Sequence, residues 1–369
     1  MQLLALDRRS LCPPAYLKLK ADDAPAPRPA AVRLTAWHLA PSAAPPEPAS
    51  KISLVIPTQR RLKGLATAAR STFRQTGVDL TRLELIIVDN DETPSAEATA
   101  SALAAEAPFP VRYAHERAPG VANARNAGVE VASGAWIAFL DDDEEAPPTW
   151  LATLLAAQTR FAADAVFAPV RARLPDGVTL HRRYFEHFFS RLGPEEAGVI
   201  DDYYGCGNSL VRRAALPDPH RPFSPRSNRT GGEDDMLFRT MMHAGARFAW
   251  APEAWVWEDP PPERLSLAYC VRRAFAFGQG VTYYCARGEP RDPLGAAGWM
   301  ARGIVQVGLF GALAAAQWAI RSPRLAFTLD RAAKGLGKVL WGGPFAIQFY
   351  GHSRASLPLA QAAGAPADA

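Results

Sequence analysis

From residue 51 onward the chain alternates two hydrophobic patterns. Apolar runs at 52–56, 85–88 and 136–140 are short and nearly continuous, as strands covered on both faces are. Between the first two, Leu62, Leu65, Ala69 and Phe73 recur at steps of three and four, which predicts a helix over 62–75 with one apolar face. The Ala-rich stretch 94–107 is helical by propensity and 111–113 reads as a short strand. Pro119-Gly120 opens a further helix through Val121, Ala124, Ala127 and Val131, which Gly134 closes. The order β-α-β-α-β-α-β, with connections long enough for right-handed crossovers, predicts an α/β fold. Its sheet is Rossmann-like and mostly parallel, with helices on both faces. A helix over 149–162 and a strand at 165–168 continue the series, after which the alternation fades. An aromatic-rich helix is expected over 181–192, a glycine turn feeding a strand over 205–213, and an amphipathic helix from 233 to a cap at Gly245. The stretches 248–250 and 255–257 read as short extended pieces.

Composition divides this pattern into regions. Residues 1–50 are rich in Pro and Ala and favour an extended N-terminal extension, within which 34–39 is a candidate strand. A globular domain is expected over 51–264, in two halves at 51–145 and 146–264. A helical, membrane-associated region follows at 265–355, then a flexible tail at 356–369. Within the helical region, 303–320 carries no formal charge and is flanked by Arg302, Arg321 and Arg324, at the lower limit for a spanning helix. Arg331, Lys334 and Lys338 interleave with Trp341, Phe345, Phe349 and Tyr350 beyond it, which suits an interface with anionic lipid. Net charge is only +4, and no dense basic stripe marks the first two thirds, so nucleic acid is not an expected partner. Cys12, Cys206, Cys270 and Cys285 show neither zinc-type nor disulfide-framework spacing, which fits a reducing cytoplasm. The first ten residues lack the pattern of a secretory signal.

The strand at 136–140 ends in Asp141-Asp142-Asp143-Glu144-Glu145. The carboxyl ends of strands are where an open α/β sheet binds its ligands. Adjacent carboxylates there raise one another's pKa unless a cation compensates them. Mg²⁺ or Mn²⁺, held by one or two carboxylates and substrate phosphates, is the natural compensator and points to a diphosphate substrate. The competing reading is a solvated loop whose Asp residues cap the helix near 149. Glu233-Asp234-Asp235 opens a predicted helix, where acidic residues offset the helix dipole in any protein. Beside a metal-type acidic edge, the same cluster is a candidate general base for an acceptor hydroxyl.

Five short motifs then occur in sequence: the strand at 52–58, Val88-Asp89-Asn90, Ala122-Asn-Ala-Arg-Asn-Ala-Gly128, Phe139-Leu-Asp-Asp-Asp143 and Gly232-Glu-Asp-Asp-Met-Leu-Phe238. Their order and spacing resemble family 2 glycosyltransferases of the GT-A fold, most of all the bacterial exopolysaccharide branch with succinoglycan-type transferases. The resemblance covers about 50–280. It implies that Pro57, Thr58 and Arg60 or Arg61 line the nucleotide pocket. Asp89, with Asn90 beside it, would read the base, usually uracil, and Arg125 and Asn126 would lie near the nucleotide and diphosphate. Asp141 and Asp143 match the D-x-D pair, Asp143 as the direct Mn²⁺ or Mg²⁺ ligand and Asp141 nearer the ribose, with Asp142 on the same donor side. Asp234 matches the base position, with Glu233 as its rival. Gly207, Asn208 and Asp235 fall on the acceptor side.

Two departures matter. Trp257-Glu258-Asp259 stands where many relatives carry a histidine, which puts a third metal ligand in doubt, and no clear Q-x-x-R-W follows. The second departure speaks for single-sugar addition over processive synthesis. His181, His187, His220 and His243 are scattered and read as surface or core. The resulting expectation is a metal-dependent inverting transferase. It would move one sugar from a nucleoside diphosphate sugar, UDP first among them, to a hydroxyl of a lipid-linked saccharide. It would sit on the cytoplasmic face of the inner membrane, with a span at 303–320 left open. The rivals are a sugar-nucleotide nucleotidyltransferase, although Pro57-Thr-Gln-Arg-Arg61 is not its glycine-rich loop, and a non-catalytic saccharide-binding protein of the same fold.

Overall fold

The computed structural model describes residues 33–37, 51–228, 232–288 and 291–345. Its first elements are β1 (Arg33–Trp37), β2 (Ile52–Thr58), α1 (Leu62–Phe73), β3 (Leu83–Asp89), α2 (Glu97–Glu106), β4 (Val111–His115), α3 (Val121–Val131) and β5 (Trp136–Phe139). Strands β4, β3, β2 and β5 lie side by side and parallel, in the register Thr58↔Asp89↔His115 and Val55↔Phe139. This register lines up their carboxyl ends along one edge. β1 pairs antiparallel with β4, so part of the Pro/Ala-rich extension is an edge strand. The rest of 1–50 and the expected tail at 356–369 lie outside the described residues.

Next come β6 (Glu144–Glu145), α4 (Trp150–Phe161), β7 (Ala165–Phe167), β8 (Val170–Ala172), α5 (Arg182–Phe189), β9 (Gly198–Ile200), β10 (Ser209–Arg212), α6 (Glu233–His243), β11 (Phe248–Trp250) and β12 (Val256–Glu258). Among the described residues the main sheet runs β1-β4-β3-β2-β5-β10-β7-β11-β9, and β6-β12-β8 form a small second sheet. Strand β10 is antiparallel to both of its neighbours. The parallel expectation therefore holds for the first half and gives way to a mixed sheet in the second. An apolar run encodes burial but not direction, and the β5–β10 pairing spans too much chain for local pattern to specify it.

Period-two alternation splits the strands between two cores. Ile52, Leu54 and Ile56 face Leu65, Ala69, Leu103, Trp150 and Leu154 on one side. Val55, Ile86 and Val88 face Ala124, Ala127, Leu237, Phe238 and Met241 on the other. Helix α3 is buried along Ala122–Val129, which holds Arg125 inside the protein. The last helices are α7 (Leu267–Arg287), α8 (Pro293–Ala319) and α9 (Leu325–Val339). The apolar helix is longer than the expected 303–320, since Asp292 caps it through Gly295 N and Pro293 suits its first turn. A third core of Leu174, Tyr184, Phe185, Cys270 and Ala326 ties α5 to α7 and α9.

Candidate active site

The loop after β5 is held in place by the carboxyl end of β2 and the start of α1. Thr58 Oγ1 donates to Asp142 at 2.7 Å, and Arg61 donates to Asp142 at 3.1 Å and to Asp143 at 2.6 Å. Of the two arginines left open by sequence, Arg61 reaches the acidic loop, while Arg60 is turned out to pair with Asp91 at 2.7 Å. Pro57, one residue earlier, is half-buried at the same edge. Asp141 N donates to Glu144 Oε2 at 2.9 Å, which folds the loop back on itself.

Arg125 connects this loop to the opposite acidic cluster. From buried α3 it donates to Asp141 at 3.2 Å and to Glu233 at the first turn of α6. Its guanidinium lies 5.9 Å from the Phe223 ring centroid. Asp234, next along α6, is half-buried and accepts from Cys206 N at 3.3 Å and from Asp235 N at 2.9 Å. The turn at 205–207 therefore touches both acidic groups. A Cβ on Gly205 would meet Asp234 Oδ2 at 3.2 Å, and one on Gly207 would strike Asp141 and come within 2.8 Å of Glu144. Only glycine lets this backbone approach the acidic loop so closely.

Several sequence-selected residues also hold the scaffold together. Asp89 is fully buried, and its carboxylate accepts from Ala96 N at 2.7 Å, Tyr113 Oη at 2.8 Å and Ser95 Oγ at 3.2 Å. Asn90 bonds Glu116 O, Ala118 O and Gly120 N and so shapes the entry to α3. Asn126 clasps the backbone of Phe223 from both sides at 2.7 and 2.8 Å. Asn208, at φ 56°, accepts from Trp150 Nε1 and donates to Pro169 O and Ala254 O. Asparagine is among the few side-chain-bearing residues that adopt this left-handed conformation readily. Asp235 is exposed on the outer side of the α6 start.

Sequence comparison bears directly on this arrangement. The model of "Glycosyl transferase family 2" matches residues 53–218. Succinoglycan biosynthesis protein ExoM of Rhizobium meliloti (strain 1021) is 37% identical over 228 residues, covering 62% of this chain and 73% of that protein. The chain belongs to glycosyltransferase family 2. Succinoglycan biosynthesis protein ExoO of the same organism is 32% identical over 219 residues, covering 55% of this chain and 59% of that one. Among solved structures, S. aureus TarS 1-349 in complex with UDP-GlcNAc aligns with a TM-score of 0.44 and 16% identity over 67% of this chain and 69% of that chain. By its family, this enzyme is a glycosyltransferase.

The electrostatics of the transferase's acidic edge are those of a site short of positive charge. Burial pushes the Asp142 carboxyl up to about 6. Burial and the neighbouring Asp141 raise Asp143, and the same two causes hold Glu144 well above the usual carboxylate range. Burial, then Asp143, pushes Glu258 up to about 8. Strand β12 brings Glu258 here by pairing it with Glu144, while Asp259 N donates to Asp143 O at 3.2 Å. In sequence, Trp257-Glu258-Asp259 only marks the lack of a histidine; the position of Glu258 depends on a strand pairing that leaves no local trace. Arg191 was missed for the same reason. It lies 3.9 Å from Glu144 and donates to Gly207 O.

These donors suit a hard cation. All are carboxylate oxygens, and their raised pKa values mark a place where added positive charge would be welcome. Among the described residues, no three His, Cys, Asp or Glu side chains are arranged to hold a metal by themselves. A pair of carboxylates completed by substrate phosphates is the arrangement that remains compatible with Mg²⁺ or Mn²⁺.

A pH dependence follows. Carboxyls with raised folded pKa values keep protons that the unfolded chain has already released, so rising pH favours unfolding. Metal-free protein is expected to lose stability between the ordinary glutamate value of 4.5 and about 8, the window set by Glu258. Urea unfolding with a chelator across this range tests it. Glu258→Gln should flatten the slope, and a slope unchanged in Glu258→Gln would remove Glu258 from the account.

Proposed function

We propose that the enzyme is a metal-dependent inverting glycosyltransferase. It moves one sugar from a nucleoside diphosphate sugar, UDP-linked first among candidates, to a hydroxyl of a lipid-linked saccharide. The observation that carries this reading is the pair of acidic groups reached from one short turn, Asp141 beside Gly207 and Asp234 beside Gly205, with Arg125 between Asp141 and Glu233. In this reading Asp141 and Asp143 hold a divalent cation, which when bound offsets negative charge on the departing nucleoside diphosphate. Asp234 accepts the acceptor hydroxyl's proton as its oxygen attacks the anomeric carbon, and the nucleoside diphosphate leaves from the opposite face. Glu233 is the weaker candidate for base because Arg125 already engages it. We assign recognition of the base to the end of β3 at Asp89, with the exposed Arg60, held by Asp91, at its rim. We also take residues 51–264 as the catalytic unit and the following helices as a separate one. The names of the two succinoglycan relatives support an exopolysaccharide or cell-surface glycan as the product.

The test is a donor screen across UDP-, GDP- and dTDP-sugars with Mn²⁺, scored for hydrolysis or transfer. At least one donor is expected to turn over, and a chelator is expected to stop it. Turnover that persists in chelator would remove the metal from the mechanism. Calorimetry without Mn²⁺-dependent binding of any nucleoside diphosphate would favour a non-catalytic saccharide-binding protein. Pyrophosphate release from a nucleoside triphosphate and a sugar phosphate would favour a nucleotidyltransferase.

A further inference from the structure

Helix α8 is long and apolar enough to cross a membrane. At 27 residues it extends about 40 Å. Arg302 is its one charged residue. Its inward side, through Ala296, Gly303 and Ala314, packs on the rest of the protein. Its other side carries Val305 at 69% and Leu309 at 62% exposure with Leu313, Ile304 is exposed on the flank, and Trp318 and Ile320 are exposed at the helix end. An apolar face of this length is far more than a soluble monomer ordinarily leaves open.

Charge indicates what covers it. Residues 267–345 contain ten Lys or Arg and three Asp or Glu, against a net +4 for the whole chain. Arg287, Arg291, Arg302, Arg321, Arg324 and Arg331 are all exposed. An apolar face flanked by arginines at its ends, with Arg302 alone in line with Leu309 and long enough to extend its charge to the headgroups, matches the interface of an anionic bilayer.

The packing of α9 decides orientation. Gln317 and Thr328 are 2.8 Å apart at one end of the pair. Farther along, Gln306 donates to Arg331 O and accepts from Lys338, both at 2.8 Å. The two helices thus run antiparallel, and Gly303 lets them approach so closely that a Cβ there would lie 2.7 Å from Gly335 O. This sets Arg331, Lys338 and the Asp330–Lys334 pair level with the middle of α8. Asp330 in turn accepts from Tyr184 Oη on α5 at 3.2 Å, and Phe327 meets the same ring edge-to-face. A spanning α8 would carry these charges, and α5 of the catalytic unit with them, to hydrocarbon depth, where each charge is strongly disfavoured.

We infer that α8 is a monotopic docking helix: it lies in the plane of an anionic phospholipid surface, immersed along its Ile304–Val305–Leu309–Leu313 side, and does not span. The inference is independent of the transfer chemistry. Docking of this kind holds the catalytic unit at the surface that carries a lipid-linked acceptor.

The test is flotation of the full chain with vesicles of phosphatidylcholine alone or with added phosphatidylglycerol. Binding is expected on the anionic vesicles. Val305→Asp/Leu309→Asp should reduce it at least about tenfold, and Arg321→Glu/Arg324→Glu should do the same on anionic vesicles. Donor hydrolysis in solution should remain at the wild-type level in both variants, which separates lost docking from lost folding. Depth is read from spin labels at Leu294→Cys, Leu309→Cys and Ile320→Cys in a Cys12→Ser background; the other cysteines are buried. All three labels should report one shallow depth of about 5–10 Å. A central label much deeper than the outer two would establish a span and overturn the inference. Absence of binding to either vesicle would also overturn it, as would conversion of a dimer to a monomer by Val305→Asp/Leu309→Asp with flotation unchanged, which would make a second copy the cover.

Discussion

Asp234→Asn is expected to lower sugar transfer by about 10²- to 10⁴-fold, the usual contribution of a general base, while nucleotide binding stays intact. Asparagine preserves the shape of the side chain and one oxygen to accept from Cys206 N, so the substitution removes basicity with little change to the turn. The loss should fall on kcat rather than on donor KM, because the proton moves only as the acceptor attacks. Glu233→Gln provides the contrast. Glu233 is buried against Arg125, and its neutralisation leaves that guanidinium short of a counter-charge. A loss of stability should therefore accompany any loss of rate. Transfer by Asp234→Asn within a few-fold of wild type, with donor binding unchanged, would rule Asp234 out as the base.

The second large effect is expected at Arg125. Its partners Asp141 and Glu233 come from opposite sides of the site, and Arg125 is almost wholly buried with Glu233. Removing one partner of a buried ion pair typically costs about 3–5 kcal/mol because the other charge is left uncompensated. Arg125→Met should reduce unfolding free energy by about that amount in urea and abolish transfer. Adding Glu233→Leu should recover part of the stability but none of the activity, since an apolar pair can replace a buried ionic one. A cost of less than about 1 kcal/mol, the range of exposed pairs, would mean that Arg125 does not hold the two acids together.

Arg125 also shows how far sequence reading reaches. The motif around 122–128 marks it as a residue beside phosphate, and the structure sets it between two carboxylates. Its neighbour Asn126 belongs to the same motif, yet its amide is spent on the backbone of Phe223. A motif records that a residue type is needed, and a buried hydrogen-bond network can need it as much as a ligand can. Asp89 makes the same point at the adjacent strand end, where its oxygens meet Ala96 N and the Tyr113 hydroxyl.

By itself, the sequence determined the alternating first half of the fold, the acidic edge after β5, the acidic start of α6 and the apolar helix near the end. Each is a local pattern, an apolar period or a run of charge, and local patterns survive reading in one dimension. Tertiary structure alone decided the antiparallel course of β10, the meeting of Glu258 with the acidic loop through β12, the choice of Arg61 over Arg60 for that loop and the side on which α8 is open. These depend on pairings between segments far apart in the chain, whose direction and register are set by packing and by closing long loops rather than by any neighbouring residues.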